Sequence, residues 1–416
     1  MTTAATDSAD MPAMFGDLTN KTLVRVDDGE ALMVVNIGPA HPASHGTLRI
    51  MTALSGERVV AAACEIGYLH RGFEKMVEAG TYTQAIPYTD RLNYNSALMN
   101  NHAYCKAVER MLGIGIPNRA RLTRIILSEM SRIMDHCICV GTALVDLGAL
   151  TNFWYMFNPR EQGYTIIEKV CGARLTTSHS RIGGLMRDVY DGFEADTLAW
   201  LDEVEKGRQD MLGLVLNNKI FIDRTKGISV VDMKTALDYG WTGPCLRASG
   251  LGYDLRKEQP YDGYEEFDFD VPIGTNGDNY DRLMVRCEEM VQSSRIIRQA
   301  IDQLKPGAVM TSDARVRMPE KQKAYFTIEG MVNQFELVFK GIEVPAGEIY
   351  DFTEAANGEL GFYIVSDGSG RPYRIKVRPP CFYIYSWFSR MIEDGLIADG
   401  VTTLGTINII AGELDR

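Results

Sequence analysis

The sequence has 416 residues, a formal net charge of −12, 45% apolar residues and 24% charged residues, which is ordinary for a globular protein with a sizeable core. The acidic balance, without a block of basic residues, argues against nucleic acid as a partner and against unaided adsorption to an anionic membrane. No stretch reaches the roughly 20 apolar residues of a membrane span, and no signal peptide opens the chain. We therefore expect a cytoplasmic protein that only another protein could hold at a membrane.

The first part of the chain predicts strands. Residues 1–30 form an N-terminal extension that we expect to be loose at its start. Within an N-terminal β region, residues 31–90, apolar and alternating patterns predict strands over 31–37, 47–54 and 58–65. Gly38-Pro39 and His41-Pro42 interrupt the first two strands, so the peptide between them is predicted to be a loop restricted by two prolines.

Apolar positions at helical spacing then predict a helical core over residues 91–342. The expected helices cover 95–112, 119–150, 159–170, 193–216, 278–304 and 320–340. The second of these is apolar nearly all round toward its end, which favours a place inside a bundle.

The last part, residues 343–416, is predicted to be a mixed α+β region. Strand patterns cover 344–352, 359–366 and 373–377, a hairpin connection lies at 367–370, and helical pieces follow from 382 to 411. Strands at both ends and helices between predict an α+β fold, in which antiparallel strands from the N- and C-terminal regions meet beside a central helical bundle.

Several kinds of chemistry have no sequence support. There is no dinucleotide fingerprint, no phosphate-binding P-loop and no nucleophile elbow. The eight cysteines form no C-x-x-C pair, and the six histidines form no zinc-binding pattern. We therefore expect no metal and no iron–sulfur cluster in this chain. Cys137 and Cys139 lie in an apolar stretch, and we expect buried structural thiols there.

One unusual run carries a family resemblance. The segment Gly38–Arg49, GPAHPASHGTLR, resembles the G-P-x-H-P-x-x-H-G-x-L-R loop of the quinone-site subunit of complex I, which is the bacterial D subunit or mitochondrial 49-kilodalton subunit. Further blocks resemble that family in the same order, namely IGYLHRG at 66–72, PYTDRLNY at 87–94, GTALVDLGA at 141–149, VPAGE at 344–348, VSDG at 365–368 and GELDR at 412–416. The resemblance covers roughly residues 31–416.

That family is distantly related to the large subunits of [NiFe] hydrogenases, so the resemblance implies a fold of that type. Hydrogenases hold nickel and iron with two C-x-x-C pairs, one near each end. Here Cys64 is followed three residues later by Gly67, and Cys381 by Ile384. Half of each pair is missing, so we expect no bimetallic centre, and a former metal cavity could house a quinone.

The resemblance implies roles for three residues at the quinone. Tyr94 aligns with the tyrosine that donates a hydrogen bond to the headgroup, and His45 with the second quinone ligand, since an imidazole can donate and supply a proton near neutral pH. Asp146 aligns with the carboxylate that pairs with the loop histidine. It could instead cap a helix after a break near Gly141. Among other histidines, His41 is the weaker candidate and more structural in character.

A second set of residues is implied to lie near a cluster held by a partner. Arg91 aligns with an arginine close to the terminal [4Fe–4S] cluster of the B subunit. The family block G-A-R-x-H-x-x-Y-x-R-P-G-G departs here, because Thr176 replaces the cluster-facing histidine and His179 replaces the tyrosine. If this stretch is helical, the two share a face, and His179 could partly take over the imidazole role. His136 could join the polar network of Asp146 or be a satisfied core histidine.

The resemblance therefore implies the quinone-binding subunit of a proton-translocating NADH:quinone oxidoreductase, inactive alone. Its partners would be subunits B, C, I and H, and its place the cytoplasmic face of the bacterial inner membrane, as a peripheral protein. The quinone, ubiquinone or menaquinone, is the substrate. Two other interpretations stay open: a non-catalytic scaffold, and the large subunit of a hydrogenase-related or ferredoxin-fed membrane complex.

Overall fold

The N-terminal strands form one antiparallel sheet. The computed structural model describes residues 23–25 and 31–416, and in that part the sheet has the order β1-β2-β3-β4. The strands are β1 (Leu23–Arg25), β2 (Ala31–Ile37), β3 (Arg49–Ser55) and β4 (Arg58–Glu65). Side chains alternate between the two faces. Val34 and Ala53 are paired residues in a small cluster on one face, while Ile50 and Val59 belong to the large cluster on the other.

Helices fill the middle of the chain. Their bounds are α1 (Phe73–Ala79), α2 (Tyr82–Thr89), α3 (Ala97–Leu112), α4 (Asn118–Asp146), α5 (Leu150–Cys171), α6 (Phe193–Val215), α7 (Lys219–Asp223), α8 (Met233–Asp238), α9 (Gly243–Ala248), α10 (Leu255–Glu258), α11 (Asn279–Asp302), α12 (Lys321–Phe326) and α13 (Ile328–Phe339). A two-stranded ribbon, β5 (Ser180–Arg181) and β6 (Gly184–Leu185), interrupts them. None of the helices in this described part is long and apolar enough to cross a membrane.

The C-terminal region forms a second antiparallel sheet followed by short helices. The sheet has the order β7-β8-β9, with β7 (Gly347–Ala355), β8 (Gly358–Ser366) and β9 (Arg374–Arg378). After it come α14 (Pro380–Tyr385), α15 (Phe388–Ile392), α16 (Ile397–Ile407) and α17 (Ala411–Asp415). The predicted connection at 367–370 does join β8 to β9, whose residues pair from Val365 with Arg374 onward.

Helix α4 is the centre of the molecule. It packs against α3, α5, α11 and α16, and its apolar residues Leu122, Ile126, Met130 and Ile133 are fully buried. The expected α+β architecture with a central bundle is therefore confirmed. The bundle holds the end of α4 against the C-terminal helix α16, which brings residues from distant parts of the sequence together.

The interior of the bundle also contains charges. We call Glu129, Arg132, Arg247, Asp254, Arg256, Glu289 and Glu354 the buried ionic cluster; each is at most 1% exposed. Arg256 contacts both Glu129 and Asp254, and Arg247 contacts both Glu289 and Glu354. Buried charges are tolerated when each is paired in this way.

Several local expectations need correction. The β region predicted over 31–90 ends its strands at Glu65, and α1 and α2 follow. Helix α5 begins at Leu150 and carries Pro159 inside it, although proline favoured a start there. The helix predicted over 320–340 is two helices, because Thr327 leaves the helical conformation and caps the second. The terminal strands form two separate sheets that do not pair with each other. The extension at 1–30 lies outside the described residues except for β1.

Candidate functional site

The loop between β2 and β3 presents His45. Pro42–Ser44 form a single 3-10 turn that His41 caps, since its Nδ1 accepts a hydrogen bond from the Ala43 amide at 3.2 Å. His45 ends the turn with φ of 51° in the left-handed region, a conformation that is uncommon for residues with a side chain. His41 thus has the structural role that the sequence favoured, and the turn sets the direction of the His45 side chain.

His45 contacts Asp146 across the fold. The Nε2 atom of His45 lies 2.7 Å from Oδ2 of Asp146, and the two side chains are 16% and 17% exposed. Asp146 is the last residue of α4, which runs without a break through Gly141. A carboxylate is disfavoured at the negative end of a helix dipole, and here the His45 imidazole lies within hydrogen-bond distance of it. The structure therefore joins these two predicted residues, and the break near Gly141 is absent.

Tyr94 begins a 3-10 turn, Tyr94–Ser96, that follows α2. Asn93 caps this turn through its Oδ1 atom and donates from Nδ2 to Asp135 of α4 at 2.9 Å, which fixes the turn on the central helix. Burial, followed by the nearby charges of Cys381 and Asp135, raises the pKa of the half-buried Tyr94 phenol. No hydrogen bond from the described residues contributes to that shift, so the phenol is left as a neutral donor.

The C-terminal segment connects the three residues. A Cβ atom at Gly405 would lie 3.0 Å from Oδ2 of Asp146. One at Gly46 would lie 3.0 Å from Cβ of Ala411, and one at Gly412 only 3.4 Å from Cδ1 of Tyr94. The chain at 405–412 thus passes beside Asp146, then the His45 loop, then the Tyr94 ring. At Gly412 the backbone oxygens of Arg91 and Leu92, at 2.7 and 2.8 Å, leave no room for a side chain.

Charged residues of the motif blocks hold this segment in place. The Asp415 carboxylate accepts hydrogen bonds from the amides of Gly67 and Leu69, at 2.9 and 2.8 Å. The guanidinium of Arg71 donates to the carbonyls of Arg91 and Gly412, both at 2.8 Å. Sequence reasoning recognised these blocks without giving Arg71 and Asp415 a role. Their charge inside short ordered motifs was the available signal.

Arg91 lies on the outside of this arrangement. Its side chain is half exposed, donates to the carbonyl of Pro87 at 2.5 Å, and lines an open cleft of about 560 Å³ with Met76, Gln84 and Tyr88. The same cleft contains neither Tyr94 nor His45. The Arg91 side chain therefore faces this surface cleft, which Tyr94 does not line.

The departing block does not have the conformation considered for it. Helix α5 ends at Cys171, and residues 172–179 are not helical, so the argument that Thr176 and His179 share a helix face does not apply. Ser178, which donates through its backbone amide and its hydroxyl to Asp90, has φ of 46°. His179 is fully buried, and burial, with the charges of Arg181, lowers its pKa to about 4.

His136 and the two neighbouring cysteines of α4 lie in the buried interior of the bundle. His136 is buried and lies 2.7 Å from Glu289 of the buried ionic cluster, so it contacts that cluster and has no direct contact with Asp146. Cys137 and Cys139 are free, buried thiols on α4, as predicted. Over residues 31–416, no group of three or more histidine, cysteine or acidic side chains has the arrangement of a metal site.

One carboxylate near the site was missed. Glu413 is 2% exposed and contacts the Cys381 thiol, with Sγ 3.3 Å from Oε2. It lies in the GELDR block directly after Gly412. A buried acid next to a residue that packs on the Tyr94 ring was not recognisable from spacing alone.

Comparison with known proteins gives a family. A family model described as "Respiratory-chain NADH dehydrogenase, 49 Kd subunit" matches residues 146–416. A protein of Bdellovibrio bacteriovorus named as the C/D subunit of NADH-quinone oxidoreductase is 56% identical over 92% of this chain and 68% of its own length. Proteins of Myxococcus xanthus and Geobacter metallireducens named as D subunits of that enzyme are 49% and 46% identical over 92% of this chain, and over 92% and 99% of their own lengths. The chain therefore belongs to the family of the 49-kilodalton, or D, subunits of NADH-quinone oxidoreductase, a multi-subunit oxidoreductase.

Proposed function

We propose that this chain forms the quinone-reduction pocket of an NADH:quinone oxidoreductase together with a B subunit that carries the terminal [4Fe–4S] cluster. The observation that carries the proposal is the His45–Asp146 contact at 2.7 Å, connected through residues 405–412 to a phenol without a hydrogen bond from the described residues. A paired imidazole and an unpaired neutral donor are suited to the two carbonyls of a quinone headgroup.

Each side chain has a defined part in this proposal. The partner's cluster would supply electrons one at a time, and with two electrons and two protons the quinone becomes the quinol. Tyr94 donates a hydrogen bond to one headgroup oxygen, and His45 donates a hydrogen bond to the other. Asp146 holds the His45 imidazole through the 2.7 Å contact, and the charge of this pair changes when the imidazole gives a proton to the headgroup. The proposal takes this change of charge at the end of α4 as the local event that is coupled to proton translocation.

The surroundings of the pocket follow from the same proposal. Arg91 and the apolar cleft beside it meet the B subunit, with Thr176 and His179 as further cluster-proximal residues. The C, I and H subunits complete the assembly, and the quinone tail leaves through H. The chain lies peripherally on the cytoplasmic face of the bacterial inner membrane and contacts the membrane through its partners.

Tyr94→Phe in the assembled complex tests the proposal. Phenylalanine keeps the ring that packs on Gly412 and removes only the hydroxyl. Loss of one positioned donor typically costs about 100-fold in kcat, and we expect a loss of that order in NADH:quinone activity with the assembly intact. Tyr280→Phe, a half-buried tyrosine whose ring packs on Phe221, is the matched control and should retain full activity.

Other outcomes would identify the rival functions. A scaffold would assemble normally and lose no quinone activity in the Tyr94→Phe complex. A hydrogenase-type subunit would contain stoichiometric nickel in metal analysis of the purified assembly. A ferredoxin-fed complex would reduce quinone with reduced ferredoxin and not with NADH.

A further inference from the structure

The segment that passes the Tyr94 ring carries a buried acid immediately afterwards. Glu413 follows Gly412, is 2% exposed, and meets the first turn of α14. The Cys381 thiol donates to its Oε2 atom at 3.3 Å, and the Cys381 amide lies 3.4 Å from Oε1. No arginine or lysine within hydrogen-bond distance pairs with this carboxyl among the described residues, in contrast to the carboxylates of the buried ionic cluster.

A continuous set of polar side chains lies behind the Tyr94 turn. Asn357 donates to Sγ of Cys381 at 3.4 Å, and Asn408 donates to Oδ1 of Asn357 at 2.8 Å. Asn408 also donates to Oδ1 of Asp135 at 2.6 Å, and Asp135 accepts from Asn93, the residue before Tyr94. Hydrogen bonds therefore link the Glu413 carboxyl, through Cys381, two asparagines and Asp135, to Asn93, which caps the Tyr94 turn. The Tyr94 hydroxyl itself is not a member of this set.

Burial and the groups facing Glu413 together place its pKa near neutral pH. Burial raises its pKa to about 7, and Asp135 of α4 adds to this rise. The thiol and amide of Cys381, and the more distant guanidinium of Arg378 at the end of β9, oppose the rise. The Tyr94 phenol has a raised pKa beside the same Cys381 and Asp135. Since proton transfer is favourable from the stronger acid to the base of the weaker acid, Glu413 can reprotonate Tyr94.

We propose that Glu413 is a positioning residue that holds a proton for Tyr94 during quinone reduction. The inference rests on the proposed function of the pocket. When the headgroup has accepted two electrons, the Tyr94 hydroxyl gives its proton to a headgroup oxygen. Water in the open pocket then carries a proton to the Tyr94 oxygen: the O–H bond of Glu413 breaks and the Tyr94 O–H bond re-forms, which leaves a Glu413 carboxylate. Water later restores the Glu413 proton before the next turnover.

Glu413→Gln in the assembled complex tests this role, because an amide keeps the shape of the side chain and cannot release the proton. In the wild type, kcat for quinone reduction should fall as pH rises through about 7, where Glu413 loses its proton. In the variant we expect this limb of the pH profile to disappear and KM for quinone to be unchanged. NADH oxidation by ferricyanide, an acceptor that does not need the quinone pocket, should be unaffected.

An infrared measurement provides a readout besides activity. The difference spectrum between the oxidised and reduced quinone states should contain a protonated-carboxyl band in the wild type that is lost in Glu413→Gln. Glu354→Gln is the matched control. Glu354 is also buried and has a raised pKa, but it contacts Arg247, which keeps Glu289 as a partner. The Glu354→Gln variant should keep both the protonated-carboxyl band and the fall in kcat as pH rises through about 7.

Variants of Cys381 keep the inference testable if Glu413→Gln does not assemble. The thiol hydrogen bond lowers the pKa of Glu413, so Cys381→Ala should move the limb to higher pH, and Cys381→Ser should move it back. An unchanged limb in Cys381→Ala, or a wild-type profile in Glu413→Gln, would overturn the inference. If Tyr94→Phe has nonetheless lost quinone activity, the proposed function stands, whereas full activity in Tyr94→Phe removes both.

Discussion

Two polar regions of this protein differ in how completely their groups are paired. In the buried ionic cluster, Arg247 contacts three carboxylates and Arg256 contacts two, and every member is at most 1% exposed. Around the proposed pocket, His45 and Asp146 retain 16% and 17% of their side-chain surface. Close by, the Tyr94 phenol has no hydrogen bond from the described residues that shifts its pKa, and Glu413 has no arginine or lysine of the described part close enough to form a hydrogen bond.

This difference in pairing indicates which polar groups stabilise the fold and which could take part in a reaction. Separating a fully paired buried charge from its partner costs a large free energy, because the remaining charge is then desolvated and unpaired. A partly exposed or unpaired polar group can bind a ligand without first breaking a hydrogen bond within the protein. The ionic cluster therefore supports the bundle around α4, and the groups beside residues 405–412 are the less completely paired ones, as the proposed pocket requires. Three measurements can break or sharpen this comparison.

The largest effect is expected in the buried ionic cluster. Arg256→Ala leaves Glu129 and Asp254 desolvated with one fewer cation, and we expect the free energy of unfolding to fall by about 3–5 kcal/mol. A urea titration of the purified chain measures this as a lower midpoint. Arg295→Ala, which breaks ion pairs with Asp268 and Asp270 at the surface, is the control and should leave the midpoint unchanged. Equal midpoints for both variants would show that the buried ionic cluster contributes no more to stability than a surface ion pair does.

A smaller effect is expected at the pocket. In a cycle of His45→Ala, Asp146→Ala and the double variant, the coupling energy should be about 1.5–3 kcal/mol, as for a hydrogen bond between charged groups. The measured quantity is kcat/KM for the quinone in the assembled complex. Any change of backbone strain at position 45 is present in both variants that carry it and so cancels. Additive effects of the two single substitutions would show that the 2.7 Å contact has no part in the reaction.

At neutral pH the smallest effect is expected at His179, because its contribution to stability changes only at lower pH. Its pKa falls from 6.5 to about 4 because burial disfavours the charged ring. The unfolded chain therefore binds more protons than the folded chain between these values, so the stability due to the neutral ring is present above pH 6.5 and lost as pH falls toward 4. His179→Phe should flatten the pH dependence of the unfolding free energy in that window. An unchanged slope would show that the ring is protonated in the folded protein.

The same residue decides the cluster hypothesis. Because the ring stays neutral around neutral pH, the cluster potential should have the same pH dependence in wild type and His179→Ala complexes. Coincident curves would mean that His179 does not take over the imidazole role considered for it. A shallower curve in the variant would instead favour the substitution hypothesis, and would require the neighbouring B subunit to raise the pKa of the ring.

Much of the fold was predictable because its signals are local. The core-facing spacing of Leu122, Ile126 and Met130 predicted α4, and the hairpin residues at 367–370 predicted the β8–β9 connection. The early start of α5 was not predictable in this way, since packing of α5 on α4 and α6 outweighed the preference of Pro159 for a first turn. The split at Thr327 depends on a side-chain cap that competes with an otherwise continuous apolar pattern.

For the candidate site, the ordered motif blocks alone predicted Tyr94, His45 and Asp146, because residue types and their order along the chain are properties of the sequence. Their arrangement in space was decided by tertiary packing. Small residues at 405, 411 and 412 allow the C-terminal segment to approach three distant elements, and Arg71 and Asp415 hold it there. Burial, which shifts the pKa of Glu413 and His179 in opposite directions, also arises only when the chain closes over these groups, since desolvation depends on all surrounding atoms and on no local pattern.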